Sequence, residues 1–380
     1  MFTLGEEALA IRDMARDFAA EKLAPHAVEW DEKKHFPVAE MREGAALGMG
    51  GVYVKEDVGG SGLTRLDAAV IFEALATGCP TVAAYMSIHN MCAWMVDTFG
   101  NEDQRHAWLP ALVSMEKCAS YCLTEPGAGS DAAALATRAE RSGNHFVLNG
   151  QKQFISGAGN ADDFYVVMAR TGGPGPKGIS TFVVEGGTPG LSFGANEKKM
   201  GWNAQPTRAV IFDNCRIPAS NMIGAEGDGF KIAMAGLDGG RLNISACSVG
   251  GAQAALDKAL AYANERKAFG KKLNEFQALQ FRLADLAIEL EAARLYLYAA
   301  AAAYDRNDAD KTQKIAGAKR FVTDTGFNVA NGALQILGGY GYLAEYGIEK
   351  IVRDLRVHQI LEGTNEIMRL IVARALVAAS

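Results

Sequence analysis

The stretch His145-Phe146-Val147-Leu148-Asn149, followed closely by Lys152-Gln153-Phe154-Ile155-Ser156, decides how this chain divides. Both segments are short, rich in β-branched and aromatic residues, and bounded by turn formers. The same texture returns at 163–169 (DFYVVMA), 179–185 (ISTFVVE) and 208–213 (RAVIFD). Between these runs stand Ser142-Gly143-Asn144, Gly172-Gly173-Pro174-Gly175-Pro176 and Thr188-Pro189-Gly190. Gly supplies positive φ and Pro a fixed φ, so such clusters punctuate strands. The pattern predicts an antiparallel β-domain from Tyr121 to about Ile223, with 172–178 as a surface loop.

Outward from this block the period changes to that of helices. On the N-terminal side Leu4, Ala8, Ile11, Ala15 and Phe18 fall at helical spacing, and Pro25 closes the run. Residues 37–48, 65–78 and 80–116 repeat the pattern, with Gly59-Gly60-Ser61-Gly62 as a loop. Met86, Ile88, Met91, Trp94 and Met95 read as core, with at most one or two of them lining a pocket. On the C-terminal side the helical period holds over 229–264, 276–297 and 311–337, and an Ala-rich run at 299–303 predicts close helix packing in a bundle. The expected fold is α+β and multidomain: an N-terminal helical domain (1–120), a middle antiparallel β-domain (121–226) and a C-terminal helical bundle (227–380).

Composition narrows the function. The 380 residues carry a net charge of −6, and no basic patch is set against phosphates, so nucleic acid is not an expected partner. No apolar run is long enough for a bilayer; Leu295–Tyr304 is too short, and Arg374 interrupts the C-terminal LIVARALVAAS. Six cysteines without a Cys-x-x-Cys pair predict free thiols in a reducing compartment, and six scattered histidines predict no metal. The first residues, MFTLGEEALAIRDMARDF, show no apolar leader, so a soluble, cytoplasmic protein is the expectation.

Gly127-Ala128-Gly129-Ser130-Asp131-Ala132 and Gly339-Tyr340-Gly341-Tyr342-Leu343-Ala344 both match the dinucleotide string G-x-G-x-x-A. That fingerprint needs a βαβ unit around it. The first match opens a β-domain and the second lies in a helical bundle, so a Rossmann fold is rejected. Clustered amides at 127–132 still have the means to hold a phosphate.

Near the C-terminus, 357–370 (VHQILEGTNEIMRL) sets Glu362 between Ile360-Leu361 and Gly363, just before a helical run. An apolar neighbourhood raises a carboxyl pKa, which suits a general base near neutral pH. Spacing alone favours a plainer reading, a helix entry with Thr364 or Asn365 as cap and Glu366 in the first turn.

Five segments in order carry a resemblance: 121–131 (YCLTEPGAGSD), 152–156 (KQFIS), 265–271 (ERKAFGK), 334–339 (LQILGG) and 361–364 (LEGT). Together they resemble the successive signatures of the acyl-CoA dehydrogenase family, and the likeness covers essentially the whole chain. It implies FAD as cofactor, held between the β-domain and the C-terminal helices. By resemblance, Tyr121, Cys122, Leu123, Thr124, Gly129 and Ser130 run along the flavin, with Leu123 and Thr124 bonding its ring. Phe154, where relatives often carry Trp, packs on that ring; on residues alone it reads as a strand core position. Ile155 and Ser156 adjoin it, and Thr364, Asn365 and Glu366 lie near the flavin. Arg266, Phe269, Phe276 and Gln277, with Gln335, Ile336, Leu337, Gly338 and Gly339, resemble positions that a neighbouring subunit gives to the FAD pyrophosphate and adenosine. An Arg suits a pyrophosphate through its planar fork, although a solvated helix end also explains Arg266. Ser130, Asp238, Gly239, Gly240, Arg241, Gly363 and Arg374 are the implied acyl-CoA contacts.

The resemblance further implies that Glu362 is the catalytic base. It takes the α-proton of a thioester while the β-hydrogen leaves as hydride to FAD, and an electron-transfer flavoprotein takes up the electrons. The thioester oxygen then rests on the Glu362 N–H and a flavin hydroxyl. Some relatives place the base at the position of Gly240, which here carries no side chain. The implied assembly is a homotetramer, a dimer of dimers. Ser87-Ile88-His89-Asn90-Met91 and Gly239-Gly240-Arg241-Leu242-Asn243-Ile244 resemble the branched-chain members, implying isobutyryl-CoA oxidised to methacrylyl-CoA in valine breakdown. Alternatives are 2-methylbutyryl-CoA or butyryl-CoA as substrate, an acyl-CoA oxidase, a flavin monooxygenase of the same fold, and a non-redox CoA-binding oligomer.

Overall fold

The computed structural model of the chain describes residues 4–160 and 163–378. Six helices come first: α1 (Glu6–Phe18), α2 (Ala27–Lys33), α3 (Val38–Ala46), α4 (Arg65–Gly78), α5 (Pro80–Phe99) and α6 (Glu102–Val113). Eight strands follow: β1 (Ala119–Cys122), β2 (Arg138–Ser142), β3 (His145–Ser156), β4 (Phe164–Arg170), β5 (Ile179–Glu185), β6 (Leu191–Phe193), β7 (Thr207–Pro218) and β8 (Met222–Ile223). The helices then resume as α7 (Gly229–Glu265), α8 (Gln277–Asp305), α9 (Lys311–Leu337), α10 (Ile348–Arg356) and α11 (Asn365–Ala378). The order helix, sheet, helix is the one read from the sequence.

Two local expectations change. The helix expected over 80–116 is two helices, because Asn101 caps α6: its Oδ1 accepts from Gln104 N–H at 2.9 Å and Gln104 Oε1 accepts from Asn101 N–H at 2.9 Å. The sheet is not wholly antiparallel. Its order is β6-β7-β3-β2-β4-β5-β8, and β1 lies parallel to β4, pairing Ala119 with Phe164 and Cys122 with Val167. β1 leaves the helical part and meets β4 only after the β2–β3 hairpin has turned back, so the two run in the same direction. β2 also touches β4 in parallel, at Arg138 and Arg170.

Three apolar clusters hold the parts. Phe146, Leu148, Tyr165, Phe182 and Phe212 fill the sheet, and a larger cluster joins α4, α7, α8 and α9. The third, with Met91, Met95, Trp108, Leu123, Phe164, Val183 and Leu237, docks α5, α6 and the start of α7 on the sheet. Burial of such large side chains contributes roughly 1.5–3 kcal/mol each relative to exposure. The expected Met stripe is therefore core: Met86, Met91 and Met95 are buried. All six cysteines are free and buried. Among the described residues no helix is long and apolar enough to cross a membrane.

Candidate active site

Where the sheet meets the bundle, a cavity of about 410 Å³ opens. Ser87, Ile88 and Met91 of α5 wall one side and Tyr121, Leu123, Thr124, Gly129 and Ser130 another. Phe154, Ile155 and Ser156 of β3, Trp202, and Phe230, Met234, Leu237, Arg241 and Ile244 of α7 continue it. Leu361, Glu362 and Gly363, with Ile367, Leu370, Ile371 and Arg374 of α11, close it. Of the five Met, Ile and Trp side chains read as core in α5, Ile88 and Met91 reach this wall.

Glu362 sits on a turn built from both ends. Ile360 N–H and Leu361 N–H both donate to Val357 O, at 2.9 and 3.0 Å, ending the approach from α10. Glu362 and Gly363 then take positive φ, 56° and 89°. Glycine adopts such values freely and glutamate at a cost of order 1 kcal/mol, so neighbours must hold the turn. Arg241 Nε donates to Glu362 O at 3.1 Å and Lys319 Nζ to Gly363 O at 2.8 Å. Thr364 Oγ1 accepts from Ile367 N at 3.3 Å, so the expected helix entry is present as well, just beyond the carboxylate.

The Glu362 Oε2 atom is buried and has no hydrogen-bond partner among the described residues. Burial pushes the carboxyl up to about 7, and the positive charges of Arg241 and Lys319 work against that rise. A Cβ at Gly240 would stand 2.5 Å from Oε2 and 2.9 Å from Met91 Sδ, so the carboxylate occupies room that only glycine leaves. Arg241 is buried and pairs with Asp238 at 2.7 Å.

The sequence-derived residues separate into groups. Tyr121, Leu123, Thr124, Gly129, Ser130, Phe154, Ile155, Ser156, Arg241, Glu362, Gly363 and Arg374 share this one cavity. Cys122 does not, because its side chain packs into the sheet core. Asn365 spends its amide on Thr323 Oγ1 at 3.0 Å and Asp324 Oδ1 at 2.7 Å. Glu366 is exposed and paired with Arg369 at 3.2 Å, and the Thr364 hydroxyl is taken by its cap. Asp238 orients Arg241 and accepts from Thr312 Oγ1 at 2.8 Å, and Gly239 makes room for the Arg65 guanidinium. Gly240 makes room for Glu362, so the three residues 238–240 shape the site from behind its wall.

Phe154 departs from the strand-core alternative. A register shift in the β3–β7 ladder between Lys152 and Ile155 turns it out, with φ 60° and 64% of its surface exposed. An aromatic ring bared on a cavity wall fits a flat ring system. Trp202 Nε1 on the same wall is buried without a partner among the described residues, and nothing lies within 4 Å of a Cβ at Gly127 or Gly129. These features fit the ring of an FAD and the chain that follows it.

A second hollow of about 380 Å³ gathers Tyr262, Arg266, Ile336, Leu337, Gly338 and Gly339. None of these lines the first cavity. Arg266 lies over the Tyr340 ring at 5.4 Å, and Gly338 and Gly339 have open space where side chains would be. Phe269 is 95% exposed and has Phe276 as a ring neighbour at 6.4 Å, while Gln277 and Gln335 are exposed. Within one chain, the residues expected at the pyrophosphate and adenosine are apart from those expected at the flavin ring.

Sequence reasoning missed Trp202, Phe230, Met234 and Lys319. Lys319 carried a signal: it is a charged residue on the apolar face that Ile315 and Val322 define in α9, and all three are buried.

Three family models match in order: acyl-CoA dehydrogenase N-terminal domain over 5–116, middle domain over 120–215 and C-terminal domain over 227–377. The chain belongs to the acyl-CoA dehydrogenase family, whose enzymes depend on FAD. Among its relatives, an isobutyryl-CoA dehydrogenase, mitochondrial, of Bos taurus is 58% identical over 373 residues, 98% of this chain and 89% of the relative. The protein of the same name from Dictyostelium discoideum is 55% identical over 374 residues, 98% of this chain and 90% of that one. The solved butyryl-CoA dehydrogenase of Megasphaera elsdenii superposes with a TM-score of 0.95 at 39% identity, covering 99% of this chain and 100% of that one.

Proposed function

We propose that the chain is the acyl-CoA dehydrogenase that oxidises isobutyryl-CoA to methacrylyl-CoA, a step of valine breakdown, with Glu362 as base. The observation that carries the reading is the buried, unpartnered Oε2 of Glu362 in an apolar cavity. A thioester α-proton is weakly acidic, so its removal needs a base held at the reacting carbon and unsolvated there. Glu362 meets both conditions: its turn is fixed at two carbonyls, and its pKa near 7 leaves a useful ionised fraction at neutral pH. The Glu362 N–H is assigned to the thioester oxygen. FAD, when bound, supplies the acceptor for the β-hydride. Tyr121, Leu123, Thr124, Phe154, Ser156 and Trp202 would hold its ring against the sheet, and Ser130, Arg241, Gly363 and Arg374 would take the acyl-CoA.

The branched substrate is supported by the two relatives named for it and by the short, apolar wall of Ile88, Met91, Leu237, Ile244 and Leu361. Arg266, Phe269, Phe276, Gln277 and Gln335–Gly339 are read as the gift of one chain to the cofactor of another, in a dimer of dimers. Their separation from the first cavity and the exposure of Phe269 support this. An electron-transfer flavoprotein is the proposed acceptor. The division at 1–120, 121–226 and 227–380 is kept as the domain reading. A reducing compartment, the cytoplasm in our reading, is supported by six free thiols, while both curated relatives are named mitochondrial. Anaerobic mixing of the purified protein with short acyl-CoAs tests the proposal: isobutyryl-CoA should bleach the flavin absorbance, and a colourless protein that takes up no FAD would sink it.

A further inference from the structure

The turn that carries the base is clasped from inside the bundle by a charge no substrate reaches. Lys319 lies in mid-helix on α9 and is fully buried. Its Nζ donates to Gly363 O at 2.8 Å and to Asn365 Oδ1 at 2.9 Å. Asn365 is in turn tied to Thr323 Oγ1 at 3.0 Å and Asp324 Oδ1 at 2.7 Å, so the clasp joins α9 to the first turn of α11. The acceptors of the ammonium are a carbonyl and an amide oxygen, both neutral. Burying an ammonium on neutral acceptors is unfavourable, and a methionine of similar volume would fill the place without that cost. Packing alone therefore gives no reason for the charge.

What faces the charge gives one. Besides burial, the largest influence on Lys319 is Glu362, followed by Arg241, Asp324 and Glu366, and His358 senses the same ammonium. Around Glu362 stand Arg241 of α7, Lys319 of α9, Tyr121 of β1 and Cys92 of α5. We propose that Lys319 is a positioning residue for the base: it fixes the Gly363 carbonyl, and so the turn, and keeps a positive charge behind the Glu362 carboxylate. This rests on the reading of Glu362 as the base. Lys319 and Arg241 divide the work, one on each of two successive carbonyls. Burial lowers Lys319 to about 8, so it is still mostly protonated at neutral pH.

The holoenzyme variant Lys319→Met tests this. The rate of anaerobic flavin reduction by isobutyryl-CoA should fall about tenfold at pH 7, with FAD retained. Removing the positive charge makes the Glu362 proton harder to lose, so the acid limb of the pH–rate profile should move up by about one unit. A purely structural role would lower the rate at every pH and leave the limb in place, and that result overturns the proposal. Lys319→Gln, which keeps a donor for Gly363, should move the limb equally and serves if the methionine variant loses FAD. Asn365→Ala leaves the bond from Lys319 to Gly363 O in place and cuts only its tie to α11, so its rate should fall less than that of Lys319→Met, and an equal loss would refute the positional half. Glu362→Gln separates the two readings, because flavin reduction that survives there defeats the base assignment itself and leaves Lys319 with nothing to position.

Discussion

A Cβ placed on Gly240 would stand 2.5 Å from Oε2 of Glu362, so the carboxylate of one helix-entry turn fills the space left by a missing side chain on α7. The atoms that would have to yield, Oε2 and Cδ of Glu362 and Sδ of Met91, all belong to flexible side chains. Gly240→Ala should therefore fold and bind FAD, losing about 1–3 kcal/mol of stability at most. The displaced carboxyl is another matter, because a shift of about 1 Å costs about 100-fold in rate. Stopped-flow flavin reduction at saturating isobutyryl-CoA should show that loss, and a rate within threefold of wild type would mean that Gly240 is not a spatial requirement of the base.

Glu362→Gln is nearly isosteric and keeps the turn, whose holding bonds go to backbone carbonyls. FAD content and the visible spectrum should match wild type, while flavin bleaching by acyl-CoA should fall by at least about 1,000-fold. Bleaching at near wild-type rate would remove Glu362 from the reaction.

The pH dependence follows from the same carboxyl. Its folded-state pKa, about 7, lies above its unfolded value, because burial opposes ionisation. With Glu362 as the proposed base, turnover requires its ionised form, so kcat/KM should rise with pH through about 7. Stability runs the other way: the contribution of the protonated carboxyl is fully present below the unfolded pKa and is lost as pH rises to 7. Glu362→Gln cannot ionise, so its Tm relative to wild type should be higher at pH 8 than at pH 5. Thermal melts at the two pH values check this, and equal differences at both would mean that the carboxyl is not buried in its charged form.

Arg266 is far from Glu362 in the sense that matters, since the two line different hollows of one chain. If two chains together complete one FAD site, ligand and assembly are linked, and FAD should stabilise the oligomer. Arg266→Ala should weaken FAD retention at least tenfold and lower the oligomer mass at low concentration, leaving the Glu362 turn intact. Light scattering with and without added FAD measures this, and a monomer that binds FAD tightly would contradict it.

Much of this architecture is legible in the sequence. Period distinguishes helices from strands because burial on one face repeats at 3.6 or 2 residues, and the breaks at Gly59–Gly62 and Pro25 fall where Gly takes positive φ and where Pro lacks an N–H. The break inside 80–116 was legible too, in Asn101 and Gln104, a capping pair that periodicity alone passes over. What spacing could not show is direction. Phe154 sits in a strand-like run, yet a ladder shift set by its distant partner β7 turns it outward. Cys122 and Asn365 belong to motif segments, but alternation in β1 and the Lys319 clasp turn their side chains away from the cavity. The parallel placement of β1 on β4 depends on a partner more than forty residues away, a pairing no local pattern encodes.

The substrate preference is the most demanding expectation, because the groups that meet FAD and CoA say little about the acyl chain. Ile88, Met91, Leu237, Ile244 and Leu361 crowd the wall that Glu362 shares, and Met91 Sδ lies beside the space at Gly240. A 2-methyl-branched, four-carbon acyl group puts its bulk next to the reacting carbon, where this wall is apolar. Each methylene changes the fit by only about 1–3 kcal/mol, so neighbours such as 2-methylbutyryl-CoA and butyryl-CoA should react about 10- to 200-fold less efficiently rather than not at all. Met91→Ala would open the wall and should narrow the gap between isobutyryl-CoA and longer substrates. Steady-state assays with an artificial electron acceptor should rank isobutyryl-CoA first by kcat/KM in wild type. If octanoyl-CoA or isovaleryl-CoA stands clearly above it, the wall has been assigned the wrong acyl group, while the family and the proposal for Glu362 are untouched.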